Sequence, residues 1–278
     1  MMKLDRFTLI FSITLYLIGC APPSQPATVA THPSAIASPT DGNRTPVPVG
    51  KEINATPIAL PGSPALAARA TPIATQEVNT EQQNMDLISA ATEGNAAAVR
   101  DLLAQRASVH ASDERGVTAL IAASYQNHLE VARLLIEAGA DVNVKDASQH
   151  SAYLIPTADG YLEFLKLTLR SGADVHSLDS YNGTGLIRAA DRGHIEIIEE
   201  LLETDIDIDH VNRLGWTAQL EAIILGDGGP RHTEVVRLLV QAGADVMLAD
   251  NNGDTPLAHA RQRGFKEIVG VLESSGAR

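Results

Sequence analysis

The side chains that could carry chemistry are few and scattered. In 278 residues the candidates are nine histidines, 34 acids, one cysteine and a glycine-rich stretch near residue 228. Nucleophilic catalysis needs a Ser, Thr or Cys beside a base, and no serine stands in the Gly-x-Ser-x-Gly turn that exposes one. The lone Cys20 can form neither an internal disulfide nor a cysteine zinc site. Asp205, Asp207 and Asp209 begin like a calcium loop, which then requires glycine sixth and glutamate twelfth; His210 and Trp216 stand there instead. The 226–232 stretch, Gly-Asp-Gly-Gly-Pro-Arg-His, could offer backbone N–H groups to an anion at a helix start. It lacks the GxxxxGK[ST] pattern, and Pro230 removes one donor. Glu196, Glu199, Glu200 and Glu203 lie three and four apart, as a solvated helix face or a docking surface for a basic partner. His128 and His194 fall at one repeat position, and His110 and His176 at another, which ties them to architecture before chemistry. The reading therefore assigns no catalytic residue, no metal ligand and no cofactor. An enzyme, or a metal-binding accessory protein using His and carboxylates alone, stays as the alternative.

Three different materials make up the chain that must position these groups. Residues 1–20 read MMKLDRFTLIFSITLYLIGC, a basic start followed by a 12-residue apolar run from Phe7 to Ile18. That run is too short for about 30 Å of hydrocarbon at 1.5 Å per residue, and it has the form of a secretory signal. It ends Leu17-Ile18-Gly19-Cys20, which resembles the lipobox of bacterial lipoproteins. The resemblance implies a signal peptide over 1–19 and lipidation of Cys20, which then anchors the chain to a membrane. By the same resemblance, Ala21 after the cysteine implies the outer membrane where a cell has two, and otherwise the external face of the cell membrane. A signal cleaved elsewhere, or an uncleaved anchor, is the competing reading.

Residues 20–82 read as a disordered tether. Eleven of the 14 prolines fall between 22 and 72, and no aromatic residue lies between 21 and 82. Such a stretch cannot offset about 1–2 kcal/mol of backbone entropy per residue. It would span about 190 Å fully extended, or about 43 Å as a flexible coil. Residues 83–278 then hold a net charge of −13 by themselves, from 16 bases and 29 acids. That balance disfavours nucleic acid and favours a basic protein as partner.

The third material is periodic. The glutamates 130, 163, 196, 234 and 267 stand 33, 33, 38 and 33 residues apart. Thr118, Ser151, Thr184, Thr217 and Thr255 stand 33, 33, 33 and 38 apart. Both rulers place one five-residue insertion between Thr217 and Glu234. A period near 33 signals a stack of similar units. Within one unit, Thr118 precedes the small apolar run 119–123. Asn127-His128 breaks it, Leu129 to Ile136 is apolar at helical spacing, and Gly139 suits a left-handed stop. The phrases Gly193-His194-Ile195-Glu196, Ala242-Gly243-Ala244-Asp245 and Asp254-Thr255-Pro256-Leu257 resemble the ankyrin repeat. The resemblance covers 83–278 and implies an all-α solenoid of about six helix-turn-helix units with hairpin loops. The units fall at about 83–113, 114–146, 147–179, 180–212, 213–250 and 251–278.

Departures from the pattern are specific. Pro156 replaces an inner-helix alanine and predicts a short or kinked helix in the third unit. In the fourth, Asp205 replaces the capping glycine. Ankyrin ligands lie against hairpin tips and inner helices. Carried over, this gives Glu114, Arg115, Tyr181, Arg213, Trp216, Asn251, Asn252 and Asp254 on the hairpins, and Tyr125 at an inner-helix end. Trp216, Tyr181, Arg213 and Tyr125 are the strongest candidates, because interfaces favour aromatic and Arg anchors.

Overall fold

A computed structural model describes residues 73–278, with side chains from residue 80. The signal segment, Cys20 and the tether as far as residue 72 lie outside the described residues. Among the described residues twelve helices pair into six units. They are α1 (Ile73–Thr92) with α2 (Ala96–Ala104), α3 (Ala119–Tyr125) with α4 (Leu129–Glu137), and α5 (Leu154–Asp159) with α6 (Leu162–Arg170). Then follow α7 (Gly185–Arg192) with α8 (Ile195–Leu202), α9 (Ala218–Ile224) with α10 (Pro230–Gln241), and α11 (Pro256–Arg263) with α12 (Lys266–Ser274). Among the described residues there are two isolated antiparallel bridges, Ser112 with Thr118 and Lys145 with Ser151, and no continuous strand. No described helix is long and apolar enough to cross a membrane.

The periodic threonine is the helix start. Thr118, Thr184, Thr217 and Thr255 each accept a hydrogen bond from the backbone N–H three residues on. Each satisfies one of the donors that a helix N-terminus leaves unpaired. The inner helices that follow are small and buried over most of their surface: α3 buries six of its seven residues. The outer helices bury one stripe, as Ile197, Ile198 and Leu201 do in α8.

Three units depart locally from the regular pattern. The α1 helix begins at Ile73, so the boundary expected at residue 83 lies further toward the N-terminus. One long helix there takes the place of a hairpin and a short inner helix. In the third unit, Ser151 Oγ still accepts from the Leu154 N–H at 3.1 Å. Pro156 has no N–H to donate to Ala152, which removes one helical bond, and α5 has only six residues. The insertion lengthens α10 to 12 residues, with Pro230 in its first turn, where a missing N–H costs nothing. Asp227 folds the insertion. Its Oδ1 accepts from the Gly229 N–H and contacts His232 Nδ1, both at 2.9 Å. Those contacts hold the Asp227 carboxyl below the usual carboxylate range. The loop donor that an anion would need is thereby taken by the chain's own carboxylate.

Candidate functional site

Each hairpin is built on one carboxylate or amide. Asp113 Oδ1 accepts from the N–H groups of Arg115 and Val117, and Asp146 Oδ1 from those of Ser148 and His150. Asp179, Asn212 and Asp250 repeat the same pair of bonds in the next three hairpins. The bonds fix the turn and set the tip residue in the same place each time. Burial raises the Asp113 and Asp250 carboxyls, but these N–H donors, with Arg115 and His259 respectively, outweigh it and leave both below the usual range. The spacing of these residues, 33, 33, 33 and 38, matches the threonine ruler, so the same arithmetic could have found them.

The second oxygen, or the amide, of the staple reaches toward the inner helices. Asp146 Oδ2 accepts from the Tyr125 hydroxyl at 2.8 Å, and Asp179 Oδ2 lies 3.6 Å from Arg188 Nε. Asn212 Nδ2 donates to Glu221 Oε1 at 2.7 Å, and Asp250 Oδ2 meets His259 Nε2 at 3.0 Å. Glu221 is buried, and burial followed by the nearby Asp191 raises its carboxyl to about 7, against the bond from Asn212. Asp250, Asp254 and His259 bring one ligand atom each within 4.8 Å of one another. In that trio Asp250 does what its equivalents do in every other hairpin, and its remaining oxygen is met by His259. The arrangement is accounted for as a hairpin staple.

Where hairpins face inner helices, two depressions share a wall. One, about 370 Å³, is lined by Arg115, Val117, Ala122 and Ser148 among others. The next, about 260 Å³, lies between α3, α5 and α7. Tyr125 stands between them and lines both. Its hydroxyl has one hydrogen, given to Asp146, so at the 2.9 Å contact with His150 Nδ1 the histidine donates. The ring edges meet at 84° with centroids 6.1 Å apart. Burial and Asp146 push the Tyr125 hydroxyl upward in pKa, so it keeps its proton. The tyrosine hydroxyl is therefore held by two partners, although the residue is 37% exposed.

The remaining expected contact residues are dispersed along the hairpins. Glu114 and Arg115 are exposed, and Arg115 folds its guanidinium back onto Asp113 Oδ2 at 3.0–3.1 Å. Tyr181 is 59% exposed at its tip, and its carbonyl accepts from the Arg213 N–H of the next hairpin at 2.9 Å. Leu214, one unit on, occupies the same tip position and is also exposed. Trp216 is half-buried at the base of that hairpin. Asn251, Asn252 and Asp254 are exposed on the last. Tyr125 thus lies apart from Tyr181, Arg213 and Trp216 rather than in one pocket with them. On the outer helices Lys166 Nζ lies 3.7 Å from Glu200 and 3.9 Å from Glu163. That offsets part of the glutamate cluster and leaves it a solvated surface.

Three of the histidines form a buttress. His128 Nε2 meets the Thr92 carbonyl at 3.1 Å, and His194 Nε2 meets Ala158 at 3.0 Å. His232 Nε2 does the same to Asp191 at 3.1 Å. Each ties an outer-helix start to the end of the preceding inner helix. The five-residue insertion displaces His232 in the numbering and hides its equivalence.

Comparison with known proteins agrees with this architecture. The family profile described as ankyrin repeats (3 copies) matches residues 68–146 and 154–250, together more than half of the chain. The ankyrin repeat protein YahD of Escherichia coli (strain K12) is 48% identical over 69 residues, which is 25% of this chain and 34% of that protein. The chain thus spans about a third of that relative's length. An ankyrin repeat domain from Acinetobacter baumannii AYE is 48% identical with a TM-score of 0.67, over 69% of this chain and 98% of that one. The human ASB11 ankyrin repeat domain is 27% identical with a TM-score of 0.60, over 69% and 84%. With six stacked helix pairs, stapled hairpins at one period and this match over most of its folded length, the chain belongs to the ankyrin repeat family.

Proposed function

We propose that this chain is a lipid-anchored scaffold of the bacterial cell envelope. Ankyrin repeats are a non-enzymatic interaction fold, and a protein partner follows from the family. The finer reading places that partner on the hairpin tips and the inner-helix face. The observation that carries it is the row of uncovered side chains there: Tyr125, its hydroxyl held by Asp146 and His150, and Tyr181 and Leu214 exposed on adjacent tips. Large exposed side chains give a partner that area to bury on docking, and one already held in place, as Tyr125 is, costs less entropy to order. The lipobox-like end of the signal supports anchoring through Cys20, and the proline-rich tether gives the reach. With Ala21 behind the cysteine, the site of action is the periplasmic face of the outer membrane, or the external face where the cell has one membrane. The net charge of −13 over 83–278 favours a basic partner, drawn in over about 8–10 Å and weakened by salt.

Photo-crosslinking in intact cells from positions 125 and 181, followed by mass spectrometry, tests the scaffold. The expected result is one protein captured from both positions and not from position 199 on the outer helices. Capture from neither position overturns the reading. Palmitate-analogue labelling tests the anchor separately: label on Cys20→Ser would remove it.

A further inference from the structure

We infer that the groove on either side of Tyr125 receives an extended segment of the partner, and that Arg188 and Arg192 hold a carboxylate of that segment. The inference rests on the reading that this face binds protein, and names what it binds there.

The 260 Å³ depression has two unlike walls. Tyr125 and His150 form one, and Arg188 and Arg192 form the other. Leu154 and Ile155 lie between them in α5. The two arginines stand four residues apart on α7, so they share one helix face. Each has an acid nearby and no hydrogen bond to it. Arg188 Nε lies 3.6 Å from Asp179, and Arg192 Nη1 lies 3.6 Å from Asp159. Neither guanidinium donates a hydrogen bond to any described residue. Arg100, Arg115 and Arg261 differ, each being bonded directly to a carboxylate.

A guanidinium has five N–H donors in a rigid fork that matches the two oxygens of a carboxylate. Asp159 and Asp179 hold the two forks in the pocket without saturating them. Arg188 and Arg192 keep 34% and 49% of their side-chain surface exposed, so their donors can be reached. The aspartates balance the arginines in formal charge, and it is the unused directional donors that select a carboxylate here.

An extended segment fits better than a single small acid, because the 370 Å³ depression continues the groove beyond Tyr125. Val117, Ala122 and the Tyr125 ring line that second site alongside Arg115, Gln126 and Ser148, so it has room and apolar surface for an aliphatic neighbour of the acidic residue. The partner is then basic overall, to meet a solenoid of net charge −13, and carries an acidic residue beside an apolar one where it docks.

The test selects a display library of random twelve-residue peptides on the full-length chain in detergent. Enrichment of Asp or Glu at one fixed position beside an apolar residue is the expected result. R188Q/R192Q should abolish that enrichment while thermal unfolding stays in place. R188K/R192K keeps both charges but not the fork. It should bind a selected peptide about tenfold more weakly, and it serves if the glutamine variant folds poorly. No enriched peptide, enrichment without an acidic position, or acidic enrichment unchanged in the arginine variants each overturns the inference. In-cell crosslinking from position 125 separates the two levels. A partner captured equally by wild type and R188Q/R192Q leaves the scaffold standing and removes the carboxylate contact. No capture by wild type removes the scaffold itself.

Discussion

The first and last units of the solenoid are filled by two different hydrophobic cores. One runs from Leu87 to Phe164, and the other from Tyr153 to Ala277. They overlap in the third unit, where neighbours in sequence part company. Ala152, Ile155 and Phe164 join the first core, while Tyr153, Leu154 and Leu165 join the second. In the same unit Pro156 shortens α5, which packs more sparsely on α3 than on α7. The 260 Å³ depression and Tyr125 lie over this weak junction. A repeat array is held by nearest-neighbour contacts, so a poorly matched unit both separates the halves and opens a pocket between them.

Removing the side chain that closes the first core is the strongest way to expose that division. Phe164 is fully buried, and Phe164→Ala should cost about 3–5 kcal/mol. The chain has one tryptophan, Trp216, and it lies in the second core's half. Urea unfolding followed by circular dichroism sees both halves, whereas Trp216 fluorescence reports one. In Phe164→Ala the circular dichroism midpoint should fall further than the fluorescence midpoint. Equal shifts would mean that the two cores unfold as one, and the junction would have no energetic meaning.

The buttressing histidines offer a smaller contrast between inside and end. Gly160 has a φ of +78°, and a Cβ there would sit 2.8 Å from the His194 ring. Gly264 has a φ of +73° with nothing within 4 Å. Alanine at either position should cost about 1–2 kcal/mol for the left-handed backbone. At Gly160 the displaced His194 also loses its bond to Ala158, adding about 1 kcal/mol. Thermal unfolding of the two variants should therefore differ, with Gly160→Ala the lower. Equal melting temperatures would show that the histidine does not tie the third unit to the fourth.

Much of this was legible in the sequence, because period and residue type agreed. The unit length, the insertion, the helix starts at Thr118 and its equivalents, and the shortened α5 at Pro156 all follow from local rules. The staple residues Asp113, Asp146, Asp179, Asn212 and Asp250 obey the same period. They were missed because an acid before a turn looks like any solvated loop residue until its two N–H partners are seen. His232 was missed for the opposite reason: its role is regular, but the insertion shifts its number. The groove was legible only in part: Tyr125 was expected on the ligand side, but not the depression around it. Arg188, Tyr125 and His150 come from three different units, and only stacking brings them to one depression. The start of α1 was passed over although the tether's prolines end at residue 72, because 73–82 has no aromatic residue and falls before the first repeat phrase.

Charge separates the halves in another way. Glu221, in the fifth unit, has its carboxyl raised by burial and by Asp191 to about 7, whereas an unfolded chain would hold it at 4.5. The folded state therefore binds the proton more tightly. Stability contributed at low pH is lost as pH rises from about 4.5 to about 7 and is flat beyond. Glu221→Gln keeps an oxygen for Asn212 and removes the charge. Above pH 7 it should be more stable than wild type by something on the order of 1–3 kcal/mol, and below pH 4.5 about equal. Urea midpoints at pH 4 and pH 8, read at Trp216, check this. A variant less stable than wild type at pH 8 would mean that ionised Glu221 is favourably held.

The smallest effect tests how the fourth unit manages without its glycine. In the other units the outer helix closes with a backbone bond from a buried or half-buried alanine. Ala140 donates to Leu135, Ala173 to Thr168 and Ala244 to Leu239, at 2.9–3.0 Å, and a glycine of positive φ precedes each. Asp205 keeps a negative φ, and Ile206 donates instead to Thr204 Oγ1 at 3.3 Å. The same hydroxyl donates to the Leu201 carbonyl at 2.6 Å. One threonine side chain thus bridges the two backbone groups that glycine geometry joins directly elsewhere. Thr204→Val keeps the shape and removes the bridge, and should cost about 1 kcal/mol, since the N–H of buried Ile206 loses its partner. Asp205→Gly in that background lets the backbone turn left-handed and join Ile206 to Leu201 directly, so it should restore most of the loss. If the double variant unfolds as early as Thr204→Val, the hydroxyl does more in this unit than stand in for a glycine.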